Sequence, residues 1–241
     1  MNYYKTLVNG RSFHGGEFEY SLPKNGKPGK WHKITKPLLM CEVGFHVTSE
    51  PANWWHKDAQ CYLVEYRGEV IKETGSNKIC VAEVRLVREV DPADVQIFYA
   101  GSHVVGSGKC LAYDSVTVEA YGSATVKAYG SATVKAYDSV TVEAYGSVTV
   151  EAYGSVTVKA YDSATVKAFN SVTVEAYNSV TVEACNSVTV EACNSVTVEA
   201  YDSATVNKWR LRSVVTLHNA AIEIDRTTSP PTIRGNYQEA V

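Results

Sequence analysis

AYDSVTVEAYGSVTVE, residues 136–151, is one eight-residue phrase stated twice, and its reading decides the fold of nearly half the chain. Twelve such phrases run without interruption from Ala112 to Asn207 in a sequence of 241 residues. A fixed short period marks stacked units, each too small to bury its own apolar face. With Ala as position 1, position 3 is Gly, Asp or Asn in every copy and position 4 is always Ser. Gly, Asp and Asn tolerate a left-handed backbone, so position 3 predicts a corner. The Ser hydroxyl after it can bond turn backbone groups. Positions 5–8, Val/Ala-Thr-Val-Glu/Lys, alternate apolar with polar and are rich in β-branched residues, which predicts a short strand. A corner former every eight residues excludes helix.

The charge at position 8 sets how many units close a coil. In chain order the units end in Glu119, Lys127, Lys135, Glu143, Glu151, Lys159, Lys167, Glu175, Glu183, Glu191, Glu199 and Asn207. In a two-unit coil, residues sixteen apart stack, and seven stacks join opposite charges, Glu119 on Lys135 and Lys127 on Glu143 among them; only Glu175/Glu191 and Glu183/Glu199 are alike. A three-unit coil would stack Glu119 on Glu143, Lys135 on Lys159, Glu151 on Glu175 and Glu175 on Glu199. Opposite charges on neighbouring strands stabilise, and like charges destabilise, by up to about 1 kcal/mol a pair. The sixteen-residue coil is therefore expected: a two-sided β-solenoid of about six regular coils, about 29 Å long at one inter-strand spacing per coil. Ala at 1 and the residues at 5 and 7 point inward, and Thr at 6 and Glu/Lys at 8 outward. Position 2 predicts two stacked ladders: Tyr113, Tyr129, Tyr145, Tyr161, Tyr177, and Tyr121, Tyr137, Tyr153, Phe169. Cys185 and Cys193 replace Tyr at this position, and a weaker unit, VVGSGKCL (104–111), starts the stack with Cys110 at inward position 7.

The Tyr-Gly/Asp-Ser phrasing, the double unit and the ladder resemble the repeats of bacterial ice nucleation proteins. The resemblance covers the repeat block and implies the solenoid. That family's ice face carries Thr-x-Thr where this chain has Thr-x-Glu/Lys, as at Thr141 and Glu143, so ice binding is an alternative reading.

The sequence divides into a small α+β head (1–95), the solenoid (96–207, regular octapeptides 112–207) and a C-terminal cap and tail (208–241). In the cap, Trp209, Arg210 and Arg212 read as an amphipathic lid before two strand-like pieces, VVTLH and AAIEI. In the head, YYKTLV, EFEYSL, LLMCEVGFHVT, CYLVEYRGEV and ICVAEVRLVREV read as strands. SEPANWW reads as a helix start, with Ser49 as N-cap and Pro51 in the first turn. The segment around Cys41, Gly44, Phe45 and His46 resembles an uncharacterised phage and bacterial domain with a Cys-x-x-Gly-Phe-His core, which implies a phage association. The order of strand, Gly-Phe-His-Val-Thr, helix and strand also resembles ADP-ribosyltransferases, and under that alternative His14, His46 and Glu83 are the catalytic candidates. Cys41, His46, His56 and Cys61 offer four ligands of zinc type, though not at a standard spacing. No Ser-His-Asp set, phosphate-cradling glycine loop or catalytic carboxylate pair is visible.

Charge narrows the partners. The repeat block carries seven Glu, four Asp and four Lys, an acidic balance that disfavours nucleic acid. No run is long and apolar enough to span a membrane, and MNYYKTLVNG lacks the pattern of a signal peptide. The expectation is a cytoplasmic protein without cofactor or metal and with six free thiols. It is read as a structural or interaction protein whose partner is another protein or a second copy, a homodimer through the solenoid edge or the cap.

Overall fold

The computed structural model describes residues 1–13 and 18–235. These form two compact units, Met1–Ile97 and Phe98–Val241. In the second, the chain coils between two parallel sheets. One contains eight strands, from Ser102–Val105 to Val214–Leu217, and the other ten, from Ile97–Phe98 to Thr232–Gly235. Within the regular repeats each strand pairs with the one sixteen residues away, Thr125 with Thr141, Lys127 with Glu143 and Thr133 with Thr149, while Ser102 at the start of the stack pairs with Thr117, a step of fifteen. The solenoid thus has about eight coils, more than the six visible as regular repeats.

The octapeptide grammar holds at each position. All twelve position-3 residues have positive φ, from 56° at Asp114 to 86° at Gly146. Beta-branched residues at 6 and 7 make every strand begin at Thr, and inward Val and Ala are sealed, with Val142, Ala144, Val150 and Val158 at 0% exposure. Burying each Val side chain contributes roughly 1.5–3 kcal/mol, so a core of nothing but Val and Ala still holds because it is continuous. Cys110 takes its place in this column opposite Val126.

One corner is a residue longer than the rest, and it hides the last coil. Thr197 pairs with Val214 and Thr205 with Ile222, a step of seventeen residues in each case. Trp209, Arg210 and Arg212 form part of that corner and of the side of the coil, which corrects the expectation of a lid. The Trp209 backbone N–H donates to Ala192 O and its indole N–H to Glu191, while the Arg226 guanidinium lies 5.1 Å from its ring. Trp209 and Arg226 therefore continue the position-2 column. VVTLH and AAIEI become strands of a full coil.

The ten-stranded sheet ends on an antiparallel strand, Thr232–Gly235, paired with Ile222–Asp225. Here the apolar column gives way to charge. Glu223 stands opposite Val206 at an inward position with 3% exposure, bonds Arg234, and lies 3.8 Å from Lys208 Nζ. Arg234 also donates to Val215 O at 3.0 Å, covering one carbonyl of the terminal strand Val214–Leu217. A salt-bridged plug closes the core.

In Met1–Ile97, the strands Gln60–Lys72 and Lys78–Val90 make a long hairpin. Phe45–Thr48 pairs with the second strand, Tyr4–Leu7 with the first, and Tyr4 meets Thr48, so four strands close into a ring with His32–Lys33 alongside. Bulges at Leu63/Val64 and Arg67/Val70 bend the hairpin enough for closure. EFEYSL forms no strand among its described residues, contributing one bridge, Arg11 to Glu19. The expected helix is a single 3-10 turn, Pro51–Trp54, with Trp55 already extended. Ser49 does not cap it: its hydroxyl donates to Asn77 O, while Glu50 takes the Asn53 and Asn77 side-chain amides. The strand beginning at Gln60 leaves no length for more turns, so this unit is β with short 3-10 pieces.

Candidate functional site

Two surfaces carry organised chemistry. On the solenoid, the rings of Tyr113, Tyr129, Tyr145, Tyr161 and Tyr177 stack at 4.9–5.2 Å and within 12° of parallel. Tyr121, Tyr137, Tyr153 and Phe169 do the same at 4.9–5.3 Å. Tyr99 extends the first ladder, and Tyr201 with His218, 4.4 Å apart, resumes the second beyond Cys185. Offset stacks of this kind add about 0.5–1.5 kcal/mol per pair beyond burial.

The ladders are tied to the charge columns, which sequence reading missed. At four of the five places where Glu precedes Tyr by two residues, the phenol donates to it: Tyr121 to Glu119, Tyr145 to Glu143, Tyr177 to Glu175 and Tyr201 to Glu199, at 2.8–3.2 Å. Lys127 pairs with Glu143 at 2.6 Å, Lys159 with Glu175 at 3.2 Å and Lys167 with Glu183 at 3.4 Å. The like-charged stacks are tolerated because each Glu has another partner. Glu191 accepts from Asn207 and Trp209, Glu199 from Tyr201, Glu175 from Tyr177 and Glu183 from Lys167. At the corners, Asp138 and Asp162 accept the backbone N–H of Gly122 and Gly146 one coil below, and Asn178 bonds Asn194.

Burial first, and then the neighbouring Glu, raises the phenols of Tyr145 and Tyr177, the latter to about 12. A phenol whose folded pKa exceeds its unfolded value stabilises the fold fully below pH 10, and the contribution is lost as pH rises through the folded value. In an alkaline titration, ladder tyrosinate absorbance is therefore expected to appear late and together with loss of the β-sheet circular dichroism signal. Ionisation near the free-phenol pKa with the sheet intact would contradict this coupling.

The second surface is a cavity of about 880 Å³ inside Met1–Ile97. Its described lining includes Lys5, Lys33, Lys36 and Lys78 and one acid, Glu42, together with the rings of Phe18, Tyr20, Phe45, His46 and Trp54. Ring closure of the sheet sets these distant residues around one space. Lys5 is 8% exposed; its ammonium donates to His46 O at 3.0 Å and lies 5.4 Å from the Tyr20 ring. Among the described residues it has no carboxylate partner within 4.0 Å. Burial, and then the Lys78 charge, pulls the Lys5 ammonium down to about 8. Lys78 Nζ is 4.8 Å from the Trp54 ring and 3.3 Å from Cys41 Sγ. His46 accepts the Cys41 backbone N–H on Nε2 at 2.9 Å, which leaves the neutral ring's proton on Nδ1. Burial, then Lys5 and Lys78, holds its pKa down to about 4. Gly44, between Cys41 and His46, has φ +134° and a Cβ there would fall 2.2 Å from Cys80 Sγ.

No family model, curated protein or solved structure matches the chain.

Of the residues singled out as catalytic or metal-binding, Cys41 and His46 meet in the cavity lining, and the other described ones, His56, Cys61 and Glu83, do not join them. His14 lies outside the described residues. Glu83 is absent from the cavity lining: its carboxylate is held by Arg67 at 2.6 Å and Lys33 at 3.2 Å, and the Arg67 and Lys33 hydrogen bonds lower its pKa. Arg67 in turn packs 4.1 Å from the Trp31 ring, so Glu83 anchors a surface cluster. Cys61 is fully buried, with its thiol pushed up to about 12 by burial and then Glu89, whereas His56 is exposed and accepts from the Asp58 N–H. Among the described residues no three His, Cys, Asp or Glu side chains form a metal-sized group. Among the described residues no helix is long and apolar enough to cross a membrane.

Proposed function

We propose that this chain is a non-enzymatic structural or interaction protein in which the solenoid acts as a rigid spacer and assembly surface. One observation carries the reading: a single sixteen-residue register with a sealed core and two aromatic ladders holds through successive coils. Such a stack bends little and offers one side-chain type per rung. The terminal strand Val214–Leu217 pairs on one side with Thr197–Ala200 and exposes Val214, which favours self-association through that edge. A phage association rests on the Cys41–Gly44–Phe45–His46 resemblance alone. Outward columns of ion-paired Glu and Lys weigh against an ice-binding face, and the pairing of Glu83 weighs against a transferase site.

Spectroscopic labels at Ser123 and Ser203, exposed in one corner column, are expected to give a narrow distance distribution centred at about 24 Å, five inter-strand spacings. A broad distribution would rule out the spacer. Light scattering over a concentration series is expected to detect association that Val214→Lys abolishes; a monomer at every concentration would rule out assembly through this edge.

A further inference from the structure

We propose that the cavity of Met1–Ile97 binds a phosphorylated small molecule bearing a planar ring, a nucleoside phosphate in class, with Lys5 and Lys78 receiving the phosphate and Trp54 and Tyr20 lining the space for the ring. The volume of about 880 Å³ falls within the range of small-molecule sites. Among the described residues the lining holds four lysines and one glutamate; Lys33 is paired with Glu83, and Lys5, Lys36 and Lys78 remain to meet an anion. The interior placement of Lys5 is the decisive feature. Buried ammonium groups are ordinarily paired with a carboxylate, because an unpaired charge away from water is costly. Among the described residues Lys5 instead meets a carbonyl and a ring face, and Lys78 adds repulsion that lowers its pKa further. A second cation beside a buried one destabilises an empty site and favours a filled one.

The aromatic rings select within anions. Lysines are point charges that serve phosphate without dictating its geometry. Trp54 is fixed by its indole N–H on Asn77 Oδ1 at 3.1 Å and by Lys78 beside its ring, so it is preset as a stacking wall. The proton on His46 Nδ1 leaves one neutral donor in the same lining. Neither set of groups is required by the solenoid, and the inference stands independently of the spacer reading.

Titration calorimetry of the full chain at low salt, with ADP, adenosine and inorganic phosphate as probes, tests it. ADP is expected to bind, with adenosine and phosphate each at least about tenfold weaker, since each loses one of two recognition elements. Lys5→Met and Lys78→Gln are each expected to weaken ADP about tenfold or more, and Lys72→Gln, on an exposed residue outside the lining, to leave it unchanged. Absence of binding by all three probes at millimolar concentration, or ADP binding indifferent to both Lys5→Met and Lys78→Gln, overturns the proposal. Phosphate binding as tightly as ADP overturns the ring-bearing class.

Discussion

Val158→Asp is expected to destabilise the solenoid by about 3–5 kcal/mol, the cost of an uncompensated charge in a sealed core. Val158 is 0% exposed, and its strand Thr157–Ala160 lies between Thr141–Ala144 and Thr173–Tyr177. Every inward neighbour in these coils is Val or Ala, so the carboxylate finds neither donor nor cation. Asp must either take a proton or draw water into an apolar column, and both disrupt the coils on each side. Because coils touch only their neighbours, the damage is also expected to uncouple the stack and broaden its transition. Urea denaturation followed by circular dichroism measures both effects. Ser155→Asp, at an exposed corner three residues away, is the control and should stay within about 0.5 kcal/mol.

Lys5→Met is expected to act in the opposite direction, stabilising Met1–Ile97 at neutral pH by about 2 kcal/mol. The folded ammonium titrates at about 8 against 10.5 unfolded, a difference that amounts to roughly 3 kcal/mol of unfavourable burial below pH 8. Loss of the hydrogen bond to His46 O offsets about 1 kcal/mol of it. The sign follows from proton counts: between about pH 8 and 10.5 the unfolded chain binds the proton and the folded one has released it, so stability rises with pH. The wild-type chain is expected to show that rise and the methionine variant to lack it. Tryptophan fluorescence during denaturation reads it, since Trp31, Trp54 and Trp55 all belong to this unit. Equal or lower stability of the variant at pH 7 would mean that the ammonium is well solvated in place.

Period, corners, inward and outward faces, coil size and both ladders were legible because the octapeptide repeats each signal at fixed phase. Opposite charge at sixteen-residue steps from Glu119 to Lys167 was enough to choose two sides over three. The last coil was not legible. One extra residue between Arg210 and Ser213 shifts the phase, and Arg226 and His218 occupy positions where the eye seeks tyrosine. The phenol-to-glutamate bonds were not legible because they run from position 8 across to position 2 of the next unit, whereas the repeat displays charge only along the stack. In Met1–Ile97 no repeat supplies a phase. Lys5, His46 and Lys78 are distant in sequence, and only closure of the ring brings them to one cavity. The helix expected at Ser49 failed for a local reason: Asn77 and Glu50 engage the groups that would have capped it.

The charge columns also constrain how such a gene can change length. Loss of one octapeptide would transpose every downstream unit to the opposite sheet. Loss of the two units ending in Glu143 and Glu151 would keep the faces but set Lys127 on Lys159 and Lys135 on Lys167. Loss of the four units ending in Glu143, Glu151, Lys159 and Lys167 instead places Lys127 on Glu175 and Lys135 on Glu183, restoring every new contact to opposite sign. The backbone is quantised in single coils, whereas its electrostatics is quantised in pairs of coils. Tandem duplication and excision in this locus are therefore expected to survive in double steps.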